Sequence, residues 1–283
     1  MLSQWSVMDL PEQPIEEDSL AEVPASLRLL LSHVPGWSAI LDADGSSVSI
    51  TAAPRQASGK PTRLYHLTIE ASSVGTISVS ETVKRYLPDF CPERHVNEGG
   101  EFCTGYHAGK NIDTDLEAVN WWKKLQLFLI CQETASGTRH WPPSAQLSHG
   151  PAGTIQLAAE KVAAELNRDR DYVAALHDRG PIANSLWQIV PGEKRLLNGR
   201  AECICGRIGR RGRVKLRKEC RKHNDPCIVL LEQDRRDAER KFWKDLKAVK
   251  CCGTMETCPL QPEWKAPKSK VRRAKAPKSK KAA

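Results

Sequence analysis

The chain has 283 residues, 43 Lys plus Arg against 34 Asp plus Glu, a net charge of +9, 40% hydrophobic residues and ten cysteines. One or two folded domains with an ordinary core fit that length, and collagen, a coiled coil and wholesale disorder are excluded. The N-terminus has neither a basic nor an apolar stretch, and the longest strongly apolar run, residues 125–131, is interrupted by Gln126. The expectation is a cytoplasmic protein with no membrane span, whose cysteines stay reduced as thiols or metal ligands.

The charge is segregated. Residues 265–283 hold nine Lys/Arg and no acid, so the rest of the chain is neutral; within it, residues 206–222 hold nine bases against Glu219 alone. Residues 1–18 form an acidic arm. Ser19 and Glu22 make a capping-box pattern, followed by Leu20, Val23, Leu27, Leu30, Leu31 and Val34 at helical spacing. Short β-rich runs follow at 37–41, 48–51, 63–70 and 76–83, with Asp44 and Gly45 as a turn, which predicts an antiparallel meander.

Residues 85–106 have no period and contain Cys91, His95, Asn97 and Cys103; long irregular segments inside compact domains are usually functional. Helical spacing returns at Leu116, Val119, Trp122, Gln126 and Leu129 behind Asp113 and Asp115, which suit the helix dipole. A break at Trp141, Pro142 and Pro143 and a turn at 148–151 precede a helix carrying Ile155, Ala158, Val162 and Leu166. Helix, strands, loop and further helices make an α+β layout.

In the loop, His95, Asn97, Gly100 and Cys103 stand in the order of the ubiquitin-conjugating signature: His-Pro-Asn, a Gly-containing turn, then the catalytic Cys. The chain from Ser19 to Asp178 resembles that enzyme family, with Val96 in place of the Pro and a shorter Asn-to-Cys spacing. These departures resemble the divergent bacterial branch found in antiphage conjugation systems of the CBASS type. The resemblance implies a UBC-like fold in which Cys103 is the nucleophile, Asn97 the oxyanion donor, and His95 an organiser of the loop in preference to a base. Gly100 and His149 would support the loop, although His149 reads equally well as part of a turn. It also implies a cGAS/DncV-like nucleotidyltransferase or a ubiquitin-like protein as donor and a target-protein lysine as acceptor. Cys91 reads as a structural thiol beside Pro92, Cys131 as core, and Trp121, Trp122 and Trp141 as packing residues.

Seven cysteines crowd residues 203–258. Cys203, Cys205, Cys220 and His223 resemble a SEC-C-type zinc motif with a lengthened turn, and four such ligands within twenty-one residues suit a closed, structural tetrahedral zinc site. Cys227, Cys251, Cys252 and Cys258 could form a second site or be ordinary thiols. The helix expected near 232–249 is charged over most of its surface and reads as solvated or partner-facing. The basic stretch 207–222 lacks aromatics to stack on bases, and reads as protein contact or solvation ahead of nucleic-acid recognition. Residues 265–270 recur as 275–280, a Lys/Pro/Ala tail expected to be disordered and to bind polyanions weakly.

The organisation expected is therefore an acidic arm at 1–18, a UBC-like conjugating domain at 19–195, a small cysteine-rich zinc module at 196–263 and a disordered basic tail at 264–283. The function expected is acyl transfer through a Cys103 thioester. The alternative is a UBC-like zinc adaptor or nucleic-acid-binding protein without catalytic activity.

Overall fold

Alternating burial decides the first part of the molecule. In β3 (Tyr65–Ala71), Tyr65, Leu67, Ile69 and Ala71 are buried while His66 and Glu70 are exposed. β3 pairs antiparallel with β2 (Ser47–Ala52), setting Ile50 opposite Leu67 and Val48 opposite Ile69, and with β4 (Ile77–Glu81), setting Ile69 opposite Val79. With β1 (Ser38–Asp44) on the far side of β2, the order β1-β2-β3-β4 is the expected meander. The β1–β2 register slips between Ile40 and Asp42, and Leu41 there is exposed.

The computed structural model describes residues 23–106, 108–110, 112–221 and 226–261, so the acidic arm, the capping-box residues Ser19 and Glu22, His223 and the basic tail lie outside the described residues. Helix α1 (Ala25–Leu31) follows Pro24 and buries Leu27 and Leu30. Helix α2 (Asp115–Thr138) starts with a reciprocal cap. Thr114 Oγ1 accepts from the Glu117 N–H at 3.3 Å, and the Glu117 carboxylate accepts from the Asp113 N–H at 3.0 Å. Its buried row is Trp121, Trp122, Leu125, Phe128, Leu129 and Gln132, and Leu116 is exposed. Trp122 Nε1 donates to the Leu30 carbonyl at 2.9 Å, tying α2 to α1.

A second compact unit begins at Ser144. It contains α3 (Pro151–Glu165), α4 (Asp169–Leu176), α5 (Gly180–Ala183), α6 (Arg217–Arg221) and α7 (Ile228–Asp245). The sequence places the boundary at 195/196, where the cysteines begin to crowd, but packing places it at 143/144. The reason is a shared core. Ala159, Val162, Tyr172, Ala175, Ile182 and Leu196 are buried together with Cys203, Cys205, Cys220, Ile228 and Val229. The cysteine-rich segment therefore completes a helical core, and is not a small module of its own.

Helix α7 also departs from its expected solvated character. Glu232 is fully buried, accepts two hydrogen bonds at 2.7 and 2.8 Å from Arg235 and one at 2.6 Å from Arg236, and Arg235 donates onward to Ser148 Oγ at 2.8 Å. Burial of such charges is tolerable only with partners of this quality. Among the described residues no helix is long and apolar enough to cross a membrane.

Candidate functional site

Residues 85–106 fold onto the edge of the sheet that β4 would otherwise leave open. The Phe102 N–H donates to the Val79 carbonyl at 2.8 Å, and the Ile77 N–H donates to the Gly109 carbonyl at 2.7 Å. Gly109 has φ +80°, and a Cβ there would collide with the Ile77 carbonyl, so this crossing demands glycine. At the end of β4, the buried Glu81 carboxylate accepts backbone N–H groups from Arg85, Tyr86 and Leu87 at 3.0–3.2 Å, fixing where the chain leaves the strand.

Within the loop, Cys91 and Val96 exchange backbone hydrogen bonds at 2.9 and 3.0 Å around a 3-10 turn at Pro92–Arg94. His95 closes that turn with φ 53°. Its carbonyl accepts the Cys103 N–H at 2.8 Å and its buried ring packs on Trp141 with centroids 4.8 Å apart. The Asn97 N–H donates to Glu101 and its carbonyl accepts from Gly100 at 3.1 Å, in a turn where Gly99 and Gly100 have φ of +84° and +89°. Gly100 is buried, and at φ +89° a side chain there would be strained even though its Cβ would only touch the flexible end of Lys84.

The loop is pinned from beneath by a buried guanidinium. Arg94 Nε donates to Gln132 Oε1 at 2.8 Å, Arg94 Nη2 donates to Ser136 Oγ at 2.8 Å, and Gln132 Nε2 returns a hydrogen bond to the Arg94 carbonyl at 2.7 Å. Phe102 stacks on Phe128 of α2 at 4.6 Å. Two separate contacts to one long helix thus hold the loop at both ends.

The outcome is a cleft of about 190 Å³ lined by Asn97, Glu101, Cys103, Gly105, Lys110 and Trp121 among others. Cys103 is half-buried and Asn97 exposed on this cleft. Burial pushes the Cys103 thiol up from its ordinary value, and the Glu101 carboxylate pushes the same way, while the Gly105 N–H opposes them. Because the shift is upward, the thiolate is scarcer at neutral pH than for a free thiol, and its fraction grows as pH climbs through the raised value. Alkylation of Cys103 by iodoacetamide, followed by peptide mass spectrometry, should therefore be slower than that of a small thiol at pH 7.5. Glu101→Gln should speed it about two- to threefold. A wild-type rate equal to that of the free thiol would contradict this electrostatic picture.

His149 belongs to the second unit. Its Nδ1 lies 2.5 Å from Glu239 Oε1, its N–H donates to Glu239 Oε2 at 2.7 Å, and its ring stacks on Phe242 with centroids 5.3 Å apart. Burial raises the Glu239 carboxyl, but the His149 and Trp243 hydrogen bonds outweigh it and hold the group below its usual range. Glu239, Phe242 and Trp243 of α7 are thus among the partners of His149, and Arg94, Gln132, Phe128 and Trp141 are among the residues that hold the loop.

Cys203, Cys205 and Cys220 are buried with their sulfurs all within 4.8 Å of one another, the one group of three or more potential ligands of this kind among the described residues. Cys203 and Cys205 lie on a short hairpin in which the Cys203 N–H donates to the Lys215 carbonyl at 2.8 Å and the Gly206 N–H donates to the Cys203 carbonyl at 3.0 Å; Cys220 comes from α6. Hydrogen bonding with Cys203 and Cys220 pulls the Cys205 thiol down, while hydrogen bonding with Cys203 and Cys205 pushes Cys220 up. Cys227 is half-buried at the start of α7. Cys251, Cys252 and Cys258 are not drawn into a comparable group. The Cys251 sulfur accepts the Gly253 N–H at 3.4 Å and the Cys252 sulfur lies 3.1 Å from Thr254 Oγ1.

Residues 37–143 match the family model of the prokaryotic E2 domain, and residues 148–260 match that of the cysteine-rich domain C-terminal to the E2 domain. The chain belongs to the prokaryotic E2 proteins that carry this cysteine-rich domain. No curated protein and no solved structure matches it. The two matched segments of this prokaryotic E2 meet where the compact units divide. A ubiquitin-conjugating-like role follows at the level of the family. Of the loop's residues, His95, Asn97, Gly100 and Cys103 are visible in the sequence through their order. Arg94, Gly109 and Gln132 are not, since each acts through a contact distant in sequence or through backbone geometry, and neither is Glu81, whose partners are backbone N–H groups that any residue carries.

Proposed function

We propose that Cys103 of this prokaryotic E2 takes the C-terminus of a partner protein from an activated acyl donor, holds it as a thioester and yields it to a lysine amine of a target. In the first step the Cys103 thiol gives its proton to solvent, its sulfur bonds to the donor's carbonyl carbon, and the donor's leaving group departs with the electron pair of the bond that breaks. In the second, the amine attacks the same carbon, the C–S bond breaks, and the proton lost by the amine passes to solvent. Asn97 donates to the carbonyl oxygen as it gains charge. His95 holds the loop through its carbonyl and ring, and Gly100 allows the turn.

A cGAS/DncV-like nucleotidyltransferase of a CBASS-type antiphage system is the proposed donor, with a ubiquitin-like protein as the neighbouring case. The observation that carries the reading is the placement of Cys103 and Asn97 on one cleft, in a loop fixed to both sheet edge and helix. Co-expression with the genomic neighbours, followed by mass spectrometry, tests it. Wild type should carry a DTT-sensitive adduct and Cys103→Ser a DTT-resistant ester. No adduct on either protein, with every neighbour present, would leave the non-catalytic adaptor reading.

The cysteine cluster fits a structural zinc ion. Thiolates are soft ligands suited to it, and at a Zn–S distance of about 2.3 Å the edge of a tetrahedron is about 3.8 Å; Cys205 and Cys220 lie 3.7 Å apart, sulfur to sulfur. Cys203, Cys205 and Cys220 would hold the ion, which when bound supplies a crosslink within the second unit's core.

A further inference from the structure

A thioester on Cys103 would put an electrophilic carbonyl in a cleft that has an amine on its wall. Among the described residues Lys110 is the one lysine lining the cleft that Cys103 lines. We infer that Lys110 is an internal acceptor: an acyl group held on Cys103 passes to the Lys110 amine of the same chain when no target lysine takes it first. The inference rests on the thioester reading above and adds an acceptor that the chain itself supplies.

The backbone sets the two residues side by side. The Phe102 N–H donates to the Val79 carbonyl and the Ile77 N–H to the Gly109 carbonyl, so the neighbours of Cys103 and Lys110 are anchored two positions apart on β4, about 7 Å along the strand. Between these anchors the Ala108 N–H donates to the Gly105 carbonyl at 3.1 Å, which turns the chain back. The sheet edge therefore holds Lys110 beside the segment that carries Cys103.

Lys110 is able to use that placement. It is exposed, and among the described residues no ion pair or hydrogen bond ties down its ammonium, so its flexible four-carbon stem is free to swing. Lys124 supplies the contrast. It too is exposed, and its Cδ lies 3.8 Å from where a Gly105 Cβ would sit, yet it is not on the cleft wall.

The step is a shift of the acyl group from sulfur to nitrogen. The Lys110 nitrogen, as the free amine, bonds to the thioester carbonyl carbon, the C–S bond breaks with its electron pair going to the Cys103 sulfur, and the proton lost by nitrogen passes to solvent. An amide on Lys110 and a free Cys103 remain. A tethered amine acts at an effective concentration of about millimolar or above, so this route loses to a docked target and wins where targets are scarce. The chain then carries its donor permanently, in the cleft where the next acyl group would have to enter.

A synthetic probe tests this without the natural donor. The full-length chain is incubated with the mercaptoethanesulfonate thioester of acetyl-leucyl-glycine, freed of excess probe, and followed by peptide mass spectrometry. The probe should first sit on Cys103 as a DTT-sensitive adduct and then on Lys110 as a DTT-resistant amide, at a rate unchanged by tenfold dilution. Lys110→Arg should keep the probe on Cys103 at least about fivefold longer, because the tethered nucleophile is gone. Lys124→Arg should match wild type, and Cys103→Ala should leave Lys110 unmodified. An acylated Cys103 with Lys110 unmodified, an amide on Lys124 in its place, equal labelling of Lys110 in Cys103→Ala, or a rate that falls on dilution would overturn the internal acceptor while leaving the thioester. A folded wild-type chain whose Cys103 never takes the probe would overturn the thioester reading and this inference with it.

Discussion

Asn97→Ala should leave Cys103 able to accept an acyl group, yet slow transfer of that group to an amine by about 10²–10³-fold, the cost of removing one well-placed oxyanion donor. The two steps separate because in the first a thiolate brings the negative charge that passes to the carbonyl oxygen, whereas attack by a neutral amine creates that charge anew and leans harder on an oxyanion donor. Asn97 is exposed on the cleft that Cys103 lines, and its own backbone is held by Glu101 and Gly100, so the substitution removes the amide without releasing the turn. Asn97→Asp makes the control sharper. It keeps the shape but puts a carboxylate where an oxyanion must form, and transfer should be at least as slow as in Asn97→Ala. Single-turnover discharge of a preformed Cys103 thioester onto free lysine measures this directly, with melting temperature as the check on folding. A discharge rate within twofold of wild type for Asn97→Ala would remove Asn97 from the chemistry and leave it a turn residue.

The loop's place in the domain was legible because order along the chain carries it: a His, an Asn, a Gly and a Cys within nine residues, flanked by a meander on one side and a Trp-bearing helix on the other. The meander was legible for a similar reason, since alternation in residues 65–71 and 77–81 is a property of each strand alone. What order cannot show is which distant residue holds the loop in place. Arg94 reads as one more loop base until Gln132 and Ser136, thirty-eight and forty-two residues later, are seen to receive it. The helix phases were similarly half-legible. Ile155, Ala158, Val162 and Leu166 mark one face of α3, and Val162 is indeed buried with Leu166 packed against the same core, but Ala158 is exposed and the rest of the buried row is Ala152, Gly153, Gln156, Ala159 and Ala163, because small residues allow close approach and composition alone does not report it. The domain boundary was misplaced by the same limitation. Cysteines mark where ligands could stand, and the apolar positions of α3, α4 and α5 that pack with them mark where the domain begins.

That shared core sets the size of the effect expected when the metal is taken away. Cys203, Cys205 and Cys220 are all buried among Tyr172, Ile182, Leu196, Ile228 and Val229, so the ion would crosslink the hairpin and α6 to the helices at the centre of the second unit. Structural zinc contributes about 10–16 kcal/mol of apparent binding energy in zinc-finger peptides, which have almost no other core. Here the helices bury apolar residues of their own, and a loss of about 5 kcal/mol is the conservative expectation for chelation or for Cys205→Ser. A unit of this size shifts by about 3–5 °C for each kcal/mol, so its melting transition should fall by about 15–25 °C. Calorimetry of the full-length chain, with and without a strong zinc chelator, should show this fall in one transition while the transition of the E2 domain stays where it was. The charges in α7 sharpen the expectation. Glu232 is fully buried against Arg235 and Arg236, and partial opening of the core would admit water to an ion network that is stable only when enclosed and fully paired. Loss of the metal and loss of the network should then coincide in a single cooperative step. An unchanged transition in Cys205→Ser would mean that the helices alone hold this unit together, and that the three thiols contribute only as small apolar groups in its core.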